Sequence, residues 1–182
     1  MAGSILGTRV LRTEDPELLF GTGEYVGDLD LADRLHVVFV RSEMAHALIT
    51  GIDTQAAKSA PGVVAVWTAD DLGLAPFQGM VTVHTDFGRP PLATDRVRFV
   101  GEAIVAVFAE TVTQAKDAAD TVVVDYEPLP AVVNAEDALA IGAPVLFEAH
   151  GDNIALTTTD PVNPDLFGDA DVIVRGRYVN QR

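Results

Sequence analysis

The chain has 182 residues, of which 48% are hydrophobic and 21% are charged, a composition typical of a globular protein with one domain or two small lobes. Its 27 acidic and 12 basic side chains give a net charge of -15, which disfavours binding to nucleic acid phosphates and to anionic membrane surfaces. The chain has no cysteine, which excludes a disulfide, a thiol nucleophile, an iron–sulfur ligand or a cysteine-based zinc site.

The N-terminal residues 1–33 are predicted to form an extended arm with turns, because charged side chains are mixed with glycines in this region. The segment 21–27, "GTGEYVG", lacks the preceding strand and following helix of a dinucleotide-binding fingerprint, so it predicts no phosphate site. No cationic stretch leads into an apolar segment here, and no apolar run in the chain approaches the ~20 residues that cross a bilayer. The expected location is therefore the cytoplasm.

The domain itself is expected to span residues 34–182 and to open with a strand–helix–strand unit. Residues 34–42, "RLHVVFVRS", place apolar side chains on both faces of a strand, which predicts an interior position in a sheet. A short helix is predicted within 54–62, where a Pro-Gly pair ends it, and residues 63–68, "VVAVWT", are predicted to form the next strand.

A second unit of the same plan is predicted later in the chain. Residues 103–110, "AIVAVFAE", and residues 121–127, "TVVVDYE", have the pattern of strands. Between them, Thr111 and Gln114 match a helix-capping box, and apolar residues recur at helical spacing. These residues are Val112, Ala115, Ala118, Ala119 and Val122. The sequence therefore predicts a mixed α/β (α+β) fold with two strand–helix–strand units and long connecting loops.

Two long loops and a terminal strand complete the predicted organisation. Residues 72–95 are rich in glycine and proline, and only residues 80–85, "MVTVHT", look strand-like there. A second irregular region covers residues 148–169, and loops of this length are usually functional or linking. Side chains over 172–179 alternate between two faces, which predicts a strand. Its exposed edge and apolar side chains would favour a two-fold homodimer.

The four histidines are His36, His46, His84 and His150, and no two of them stand at metal-ligand spacing. A single histidine in a strand, such as His36, is usually a packed or surface side chain. His84 and Asp86 supply only two candidate ligands in a long loop, which falls short of a metal site. No metal site is therefore predicted.

Glu102 is the candidate for acid–base chemistry, because it stands at the start of an apolar strand, after Gly101, which permits a bend. The favoured alternative is a carboxylate that accepts hydrogen bonds from the backbone or pairs with Arg96 or Arg98. A nucleophile, a base and an orienting group occur together nowhere in the sequence. Neither catalytic nor cofactor-binding residues are predicted in this chain.

Four segments, taken in order, resemble one protein family. They are "RTEDPELLFGTGEYVGDLDLADRLHVVFVRSEMAHALITGID" (12–53), "APGVVAVWTADDL" (60–72), "RVRFVGEAIVAVFAET" (96–111) and "AKDAADTVVVDYEPLPAVVNAEDAL" (115–139). The family is that of the molybdenum-binding large subunits of xanthine dehydrogenase, aldehyde oxidase and carbon monoxide dehydrogenase. The resembled part is the N-terminal α/β hammerhead domain, and the details look most like the bacterial carbon monoxide dehydrogenase branch.

The resemblance implies an oxidoreductase of the molybdenum hydroxylase type. In that family an exit strand, which residues 169–182 resemble, leads into a longer region that binds molybdopterin and holds the catalytic glutamate. This chain alone is therefore expected to be inactive and to serve a structural, substrate-passage or subunit-interface role. The implied partners are the remaining molybdopterin-binding domains and iron–sulfur and FAD subunits or domains. The alternative is a stand-alone interaction or small-molecule-binding module without enzymatic activity.

Overall fold

The computed structural model describes residues 12–80, 82–157, 166–174, 176 and 178. The strands are β1 (His36–Arg41), β2 (Ala47–Asp53), β3 (Val63–Trp67), β4 (Arg96–Val97), β5 (Ala103–Ala109) and β6 (Val123–Pro128). The α-helices are α1 (Asp15–Leu19), α2 (Gln55–Lys58), α3 (Ala69–Leu72) and α4 (Val112–Ala119). Short 3-10 helices cover Val26–Asp28, Thr85–Phe87 and Asp137–Leu139. None of the helices in this described part has the length and apolar character needed to span a bilayer.

The strands form two three-stranded antiparallel sheets, with the orders β1-β5-β3 and β4-β2-β6. Each strand–helix–strand unit passes from one sheet to the other. The first unit is β2, α2 and β3, and the second is β5, α4 and β6. The predicted mixed α/β fold with two such units is confirmed, although β2 and not the strand at 34–42 directly precedes α2 in the first unit.

The hydrophobic core is centred on β5, the middle strand of the first sheet. Helices α2 and α4 contact each other and pack on this sheet, α4 against β1 and β5 and α2 against β3. The second sheet contributes side chains from β2 and β4. The buried members of this core are Ala47, Ala57, Val66, Ala93, Val97, Ile104, Val105, Val107, Ala118 and Ala119. Each large aliphatic side chain removed from water stabilises the fold by about 1.5–3 kcal/mol.

Helix α4 begins at the predicted cap. The backbone N–H of Gln114 donates to the Thr111 hydroxyl oxygen at 3.2 Å, and the Thr111 hydroxyl donates to the Gln114 side-chain oxygen at 2.8 Å. Three alanines of α4, Ala115, Ala118 and Ala119, are buried at the spacing of one helix face. The absence of bulky side chains on that face lets the helix lie close to the sheet.

Strand β1 lies at an edge of the first sheet, so the prediction of an interior position is wrong. Within the described residues it pairs with β5 alone. Val38 and Val40 pack against the core, whereas Val37 and Phe39 point to the opposite face and are 44% and 39% exposed. Apolarity on both faces therefore reflects a core on one side and an uncovered apolar surface on the other.

The strand predicted at 80–85 is also wrong for the residues that the structure describes, which exclude residue 81. Thr85–Phe87 instead forms a 3-10 helix, whose first turn is closed when the His84 ring accepts a hydrogen bond from the Asp86 backbone. Among the described residues no strand lies beside this segment to complete a ladder, and the loop is closed by an isolated bridge between Phe77 and Arg89.

The terminal strand predicted at 172–179 lies partly outside the described residues, which include 172–174, 176 and 178. These described positions form no strand, because no other strand pairs with them. The exposure expected of their apolar side chains is nevertheless present, since Val172, Val174 and Tyr178 are at least 79% exposed.

Residues 12–33 contain a one-turn helix, α1, in a region predicted to be extended. A proline at the start of α1 favours this turn because its fixed φ suits the first helical position. No residue of α1 is buried, so the helix is not part of the core. The division into an arm over 1–33 and a domain over 34–182 stays a prediction, and residues 1–11 lie outside the described part of the chain.

Candidate functional site

The two long loops meet at a pocket of about 290 Å³. Phe87 comes from the first loop, whereas Asp152, Asn153 and Ala155 come from the second. His46, from the turn before β2, lies at its wall together with residues that follow β6. The lining is mainly apolar, which suits a small hydrophobic guest or a packing partner.

His46 is the buried polar side chain of this pocket, with 7% of its surface exposed. Its Nδ1 lies 2.9 Å from the carbonyl oxygen of Pro130. A carbonyl only accepts, so Nδ1 carries the proton and Nε2 presents a lone pair. Nε2 has no hydrogen-bond partner among the described residues. A buried acceptor without a partner is destabilising, so a hydrogen-bond donor that reached Nε2 would be favoured.

Asn153 fixes the part of the pocket wall that Ala138, Pro144 and Leu146 form. Its side-chain nitrogen donates to the carbonyl oxygens of Pro144 at 2.9 Å and Ala138 at 3.1 Å. Its side-chain oxygen accepts from the backbone N–H of Leu146 at 3.0 Å. One amide therefore satisfies three backbone groups of the segment from the 3-10 helix Asp137–Leu139 to Leu146, which fixes the shape of that segment.

Aromatic contacts join the two loops to the second sheet. The rings of Phe87 and Phe147 meet edge to face, with their centroids 5.1 Å apart. The guanidinium of Arg98 lies over the Phe147 ring at 4.7 Å and also donates to the Leu146 carbonyl oxygen at 3.2 Å. These contacts, of the cation–π and edge-to-face kinds, orient the loops relative to β4.

His84, Asp86 and His150 form a cluster beside the pocket. The Asp86 carboxylate oxygen Oδ2 lies 3.2 Å from His84 Nδ1 and 3.6 Å from His150 Nδ1. The two imidazole centroids are 4.8 Å apart, and the His150 ring packs on Phe87 at 4.5 Å. The His150 side chain is 16% exposed and that of His84 is 48% exposed, so the cluster opens to solvent on the His84 side.

Glu102 is buried, and its side chain accepts a hydrogen bond of 2.6 Å from the backbone N–H of Arg98. Gly101, before it, has a φ of +92°, which provides the predicted bend. The carbonyl oxygen of Glu102 also accepts from the Ser42 backbone N–H at 2.8 Å. These bonds correspond to the structural alternative for Glu102, in which the carboxylate ties the start of β5 to the end of β4.

Arg96 anchors the second loop to β4. Its Nε lies 2.9 Å from Asp95, and its NH1 lies 3.1 Å from Glu148. The hydrogen bond to Asp95 raises the pKa of Arg96 and outweighs the opposing effect of burial. Partial burial pulls the pKa of Asp95 upward, but hydrogen bonds from Arg96 and Thr94 outweigh it, so the pKa is lowered. The pair therefore stays ionised over the physiological pH range.

The first sheet carries a second candidate surface on the face away from its helices. We call it the open sheet face, and it consists of Val37, Phe39, Trp67 and Phe108. The Trp67 and Phe108 rings are 4.5 Å apart, and Trp67 is 42% exposed. Contiguous exposed aromatic and aliphatic side chains mark interaction surfaces.

Sequence reasoning singled out His84, Asp86 and Glu102 but did not place His150 beside the first two. His150 lies in the other long loop, and a contact between two irregular segments leaves no periodicity in the sequence. His36, in β1, takes no part in the cluster, while His46 lines the pocket. The sequence signal that pointed to this region was the length of both loops, because loops of this length are usually functional or linking.

Comparison with known proteins matches residues 20–130 to the family described as "Aldehyde oxidase and xanthine dehydrogenase, a/b hammerhead domain". The nicotine 6-hydroxylase large subunit of Paenarthrobacter nicotinovorans is 42% identical over 158 residues, covering 84% of this chain and 19% of that protein. The carbon monoxide dehydrogenase large chain of Afipia carboxidovorans is 41% identical over 143 residues, covering 79% of this chain and 18% of that protein.

Among solved structures, quinoline 2-oxidoreductase from Pseudomonas putida 86 superposes with a TM-score of 0.78 at 38% sequence identity. The match covers 93% of this chain and 22% of that one. The chain thus spans about a fifth of the length of the relatives that it matches.

Proposed function

The chain belongs to the aldehyde oxidase and xanthine dehydrogenase family, of which it is the a/b hammerhead domain, and we propose that it works as one domain of a molybdenum hydroxylase large subunit. The whole enzyme would insert a water-derived oxygen into its substrate and pass the electrons onward. This domain would contribute packing surface and part of the substrate passage, in the cytoplasm. The observation that carries the proposal is the open sheet face.

The pocket between the two loops does not fit molybdopterin, the cofactor that the family implies. That cofactor carries a phosphate, for which a site needs cationic side chains or converging backbone N–H groups. The pocket between the loops is lined instead by apolar side chains, and its one charged group is the carboxylate of Asp152. The cofactor would therefore be held by other parts of the enzyme, and catalytic steps are assigned to no residue of this chain.

The open sheet face supports a docking role. Covering these side chains with another protein surface would contribute about 25 cal/mol of favourable free energy per Å² of apolar surface removed from water. The relatives are about five times as long as this chain, so the remaining domains of the large subunit are the natural occupant. Iron–sulfur and FAD subunits or domains would complete the electron path beyond them.

The pocket supports a passage role. It is bounded by two loops that aromatic and arginine contacts hold in place, and its lining is apolar apart from His46, Asp152 and Asn153. Such a wall lets a small neutral substrate pass with little desolvation cost, while its few polar groups orient it. The same His46 acceptor favours the second candidate function, a stand-alone small-molecule-binding module.

The test of the docking role is a charge placed on the open sheet face of the native protein. Trp67→Glu is expected to lower the yield of assembled, dye-reducing enzyme about tenfold or more, because a carboxylate buried at an interface is strongly disfavoured. In the 182-residue chain the same change should lower the melting temperature by about 3–8 °C and leave the fold intact, since Trp67 is already 42% exposed there and loses mainly its contact with Phe108. Thr113→Glu, on the exposed side of α4, is the matched control. Normal assembly of the Trp67→Glu protein would contradict the docking role.

A further inference from the structure

The cluster of His84, Asp86 and His150 brings three potential metal ligands together from two loops. One ligand atom from each residue lies within 4.8 Å of the other two. Around a tetrahedral Zn²⁺ with bonds of about 2.0–2.1 Å, neighbouring ligand atoms lie roughly 3.3 Å apart. The separations of 3.2 Å and 3.6 Å from the Asp86 oxygen to the two imidazole nitrogens are already close to that value. A small movement of the exposed His84 ring would complete the geometry.

The backbone fixes the imidazole tautomers so that lone pairs face one another. His150 Nε2 lies 3.1 Å from the carbonyl oxygen of Ile154, which only accepts, so Nε2 carries the proton and Nδ1 is left with its lone pair. His84 Nδ1 accepts a hydrogen bond from the Asp86 backbone N–H, so it too is unprotonated. Both of these nitrogens face the Asp86 carboxylate. With both rings neutral, three electron-rich atoms converge, an arrangement that either a metal ion or a shared proton between them would stabilise.

The surroundings of His150 match those of a metal-bound histidine. Such a ring normally donates its second N–H to a backbone carbonyl or a carboxylate, which orients it and makes it a better ligand. His150 has both partners on that side, the Ile154 carbonyl oxygen and, at 3.5 Å, a carboxylate oxygen of Asp152. Phe87 and His84 pack against the ring as well. The ring is therefore positioned before any ion arrives.

We propose that His84, Asp86 and His150 bind a divalent transition-metal ion of the Zn²⁺ type, which ties the 72–95 loop to the 148–169 loop beside the pocket. Two imidazoles and one carboxylate form a ligand set that suits Zn²⁺ and its neighbours better than Mg²⁺ or Ca²⁺. Three protein ligands leave one coordination position open toward solvent on the His84 side. The sequence predicted no metal site because only His84 and Asp86 lie close together along the chain. The fold brings His150 to them as the third ligand.

The weak hydrogen bond between His84 and the Asp86 backbone is the interaction that the ion displaces. It is 3.3 Å long and exposed, so its loss costs little, whereas the bonds of His150 to Ile154 and Asp152 are kept. The competing arrangement is an ion pair in which a histidine and the Asp86 carboxylate share a proton. A metal site would take up added metal ions, whereas the proton-sharing ion pair would not.

The test is a titration of the tag-free, metal-stripped 182-residue chain with ZnCl₂, followed by calorimetry and by melting temperature. Equimolar binding with a rise in melting temperature is expected. His150→Ala and Asp86→Asn should each weaken the affinity about tenfold or more. His36→Ala, which removes a histidine outside the cluster, should leave it unchanged. Zinc X-ray absorption should show two imidazole nitrogens at about 2.0–2.1 Å.

Circular dichroism of each metal-free variant shows whether weaker binding comes from the missing ligand side chain or from loss of the fold. If His150→Ala does not fold, Asp86→Asn still tests the site, because asparagine has nearly the same shape as aspartate. Absence of binding by the folded, unmodified chain would overturn the proposal and leave the proton-sharing ion pair. Binding that survives in the folded His150→Ala and Asp86→Asn proteins would also overturn it, because the ion would then lie elsewhere. Neither result bears on the large-subunit role, which rests on the open sheet face.

Discussion

Gly62 turns the chain from α2 into β3 with a φ of +74°, in the left-handed region that side chains with a Cβ disfavour. Its carbonyl oxygen accepts a hydrogen bond from the backbone N–H of Glu110 at 3.0 Å, which ties this turn to the end of β5. A Cβ at this position would also collide with the side chain of Gln114. The backbone conformation therefore requires glycine here, and a Cβ would in addition push aside the flexible Gln114 amide that bonds to Thr111.

The first prediction follows from this turn. Gly62→Ala should lower the free energy of unfolding by about 1–2 kcal/mol through the backbone conformation, with a further loss from the collision. Adding Gln114→Ala should remove the collision but not the conformational cost. Denaturant unfolding measures both, with Gly27→Ala as the control because no atom lies within 4 Å of a Cβ there. A Gly62→Ala protein as stable as the unmodified chain would contradict the argument.

Contacts that are local in sequence, such as those of Glu102, could be predicted, whereas the contacts of His150 could not. The sequence favoured a Glu102 carboxylate bonded to the backbone, and the structure shows that bond, because a strand-end carboxylate next to glycine has backbone N–H groups within reach. It could not bring His150 to His84 and Asp86, because their contact depends on how two irregular loops pack. The tautomers that make the cluster interesting depend on the Ile154 carbonyl, which no side-chain pattern reveals.

Among the elements, α3 depends on a polar cap that the sequence analysis did not single out. The backbone N–H of Thr68 donates to the Asp71 carboxylate at 2.7 Å, and the Thr68 hydroxyl donates to the same oxygen at 3.0 Å. The backbone hydrogen bond is the main cause that lowers the pKa of Asp71, helped by the hydroxyl. The Asp71 carboxylate is therefore stabilised in its ionised form in the folded chain.

The second prediction concerns pH. Because the folded pKa of Asp71 lies below its unfolded value near 3.8, its contribution to stability is present above that pH and is lost as pH falls through the folded pKa. Asp71→Asn should lower the melting temperature by about 1–4 °C at pH 7. The difference from the unmodified chain should shrink below about pH 4. Asp70→Asn removes the same charge without the bonds to Thr68 and serves as the control. A pH-independent difference would contradict the cap.

Strands and helices with strong local signals were predictable, and sheet order was not. Helix α4 follows from its spacing of small apolar residues and from Thr111, and β5 follows from its unbroken apolar run. The edge position of β1 could not be deduced from the sequence. Apolar side chains on both faces occur in an interior strand, and they also occur in an edge strand such as β1, which has an exposed apolar face. The strand expected at 80–85 failed because alternation alone supplies no neighbour with which to pair.

For the whole molecule, exposed apolar surface competes with net charge. The open sheet face and the apolar side chains near the C-terminus, among them Ile173, Val174 and Tyr178, favour association. The net charge of -15 opposes it through repulsion that salt screens over ~8 Å at physiological ionic strength.

The third prediction is therefore that the isolated 182-residue chain self-associates, most simply as a two-fold dimer, more strongly as salt rises. Removing residues 171–182 should weaken the dimer if the terminal segment forms the contact, whereas Trp67→Glu should weaken it if the open sheet face does. Sedimentation velocity at increasing salt measures both effects. A chain that stays monomeric at high salt and high concentration would contradict the prediction.

The metal content of the native assembly decides whether this chain is one domain of a molybdenum hydroxylase. A small affinity tag at Met1, introduced into the gene in its own cell, would allow everything that carries this chain to be purified and analysed by mass spectrometry of the elements. The account predicts molybdenum in stoichiometric amount with the tagged chain, together with dye reduction by an aldehyde, a purine, a nitrogen heterocycle or carbon monoxide. The 182-residue chain alone should contain none. Native material that holds this chain without molybdenum would contradict the account and support a stand-alone binding module.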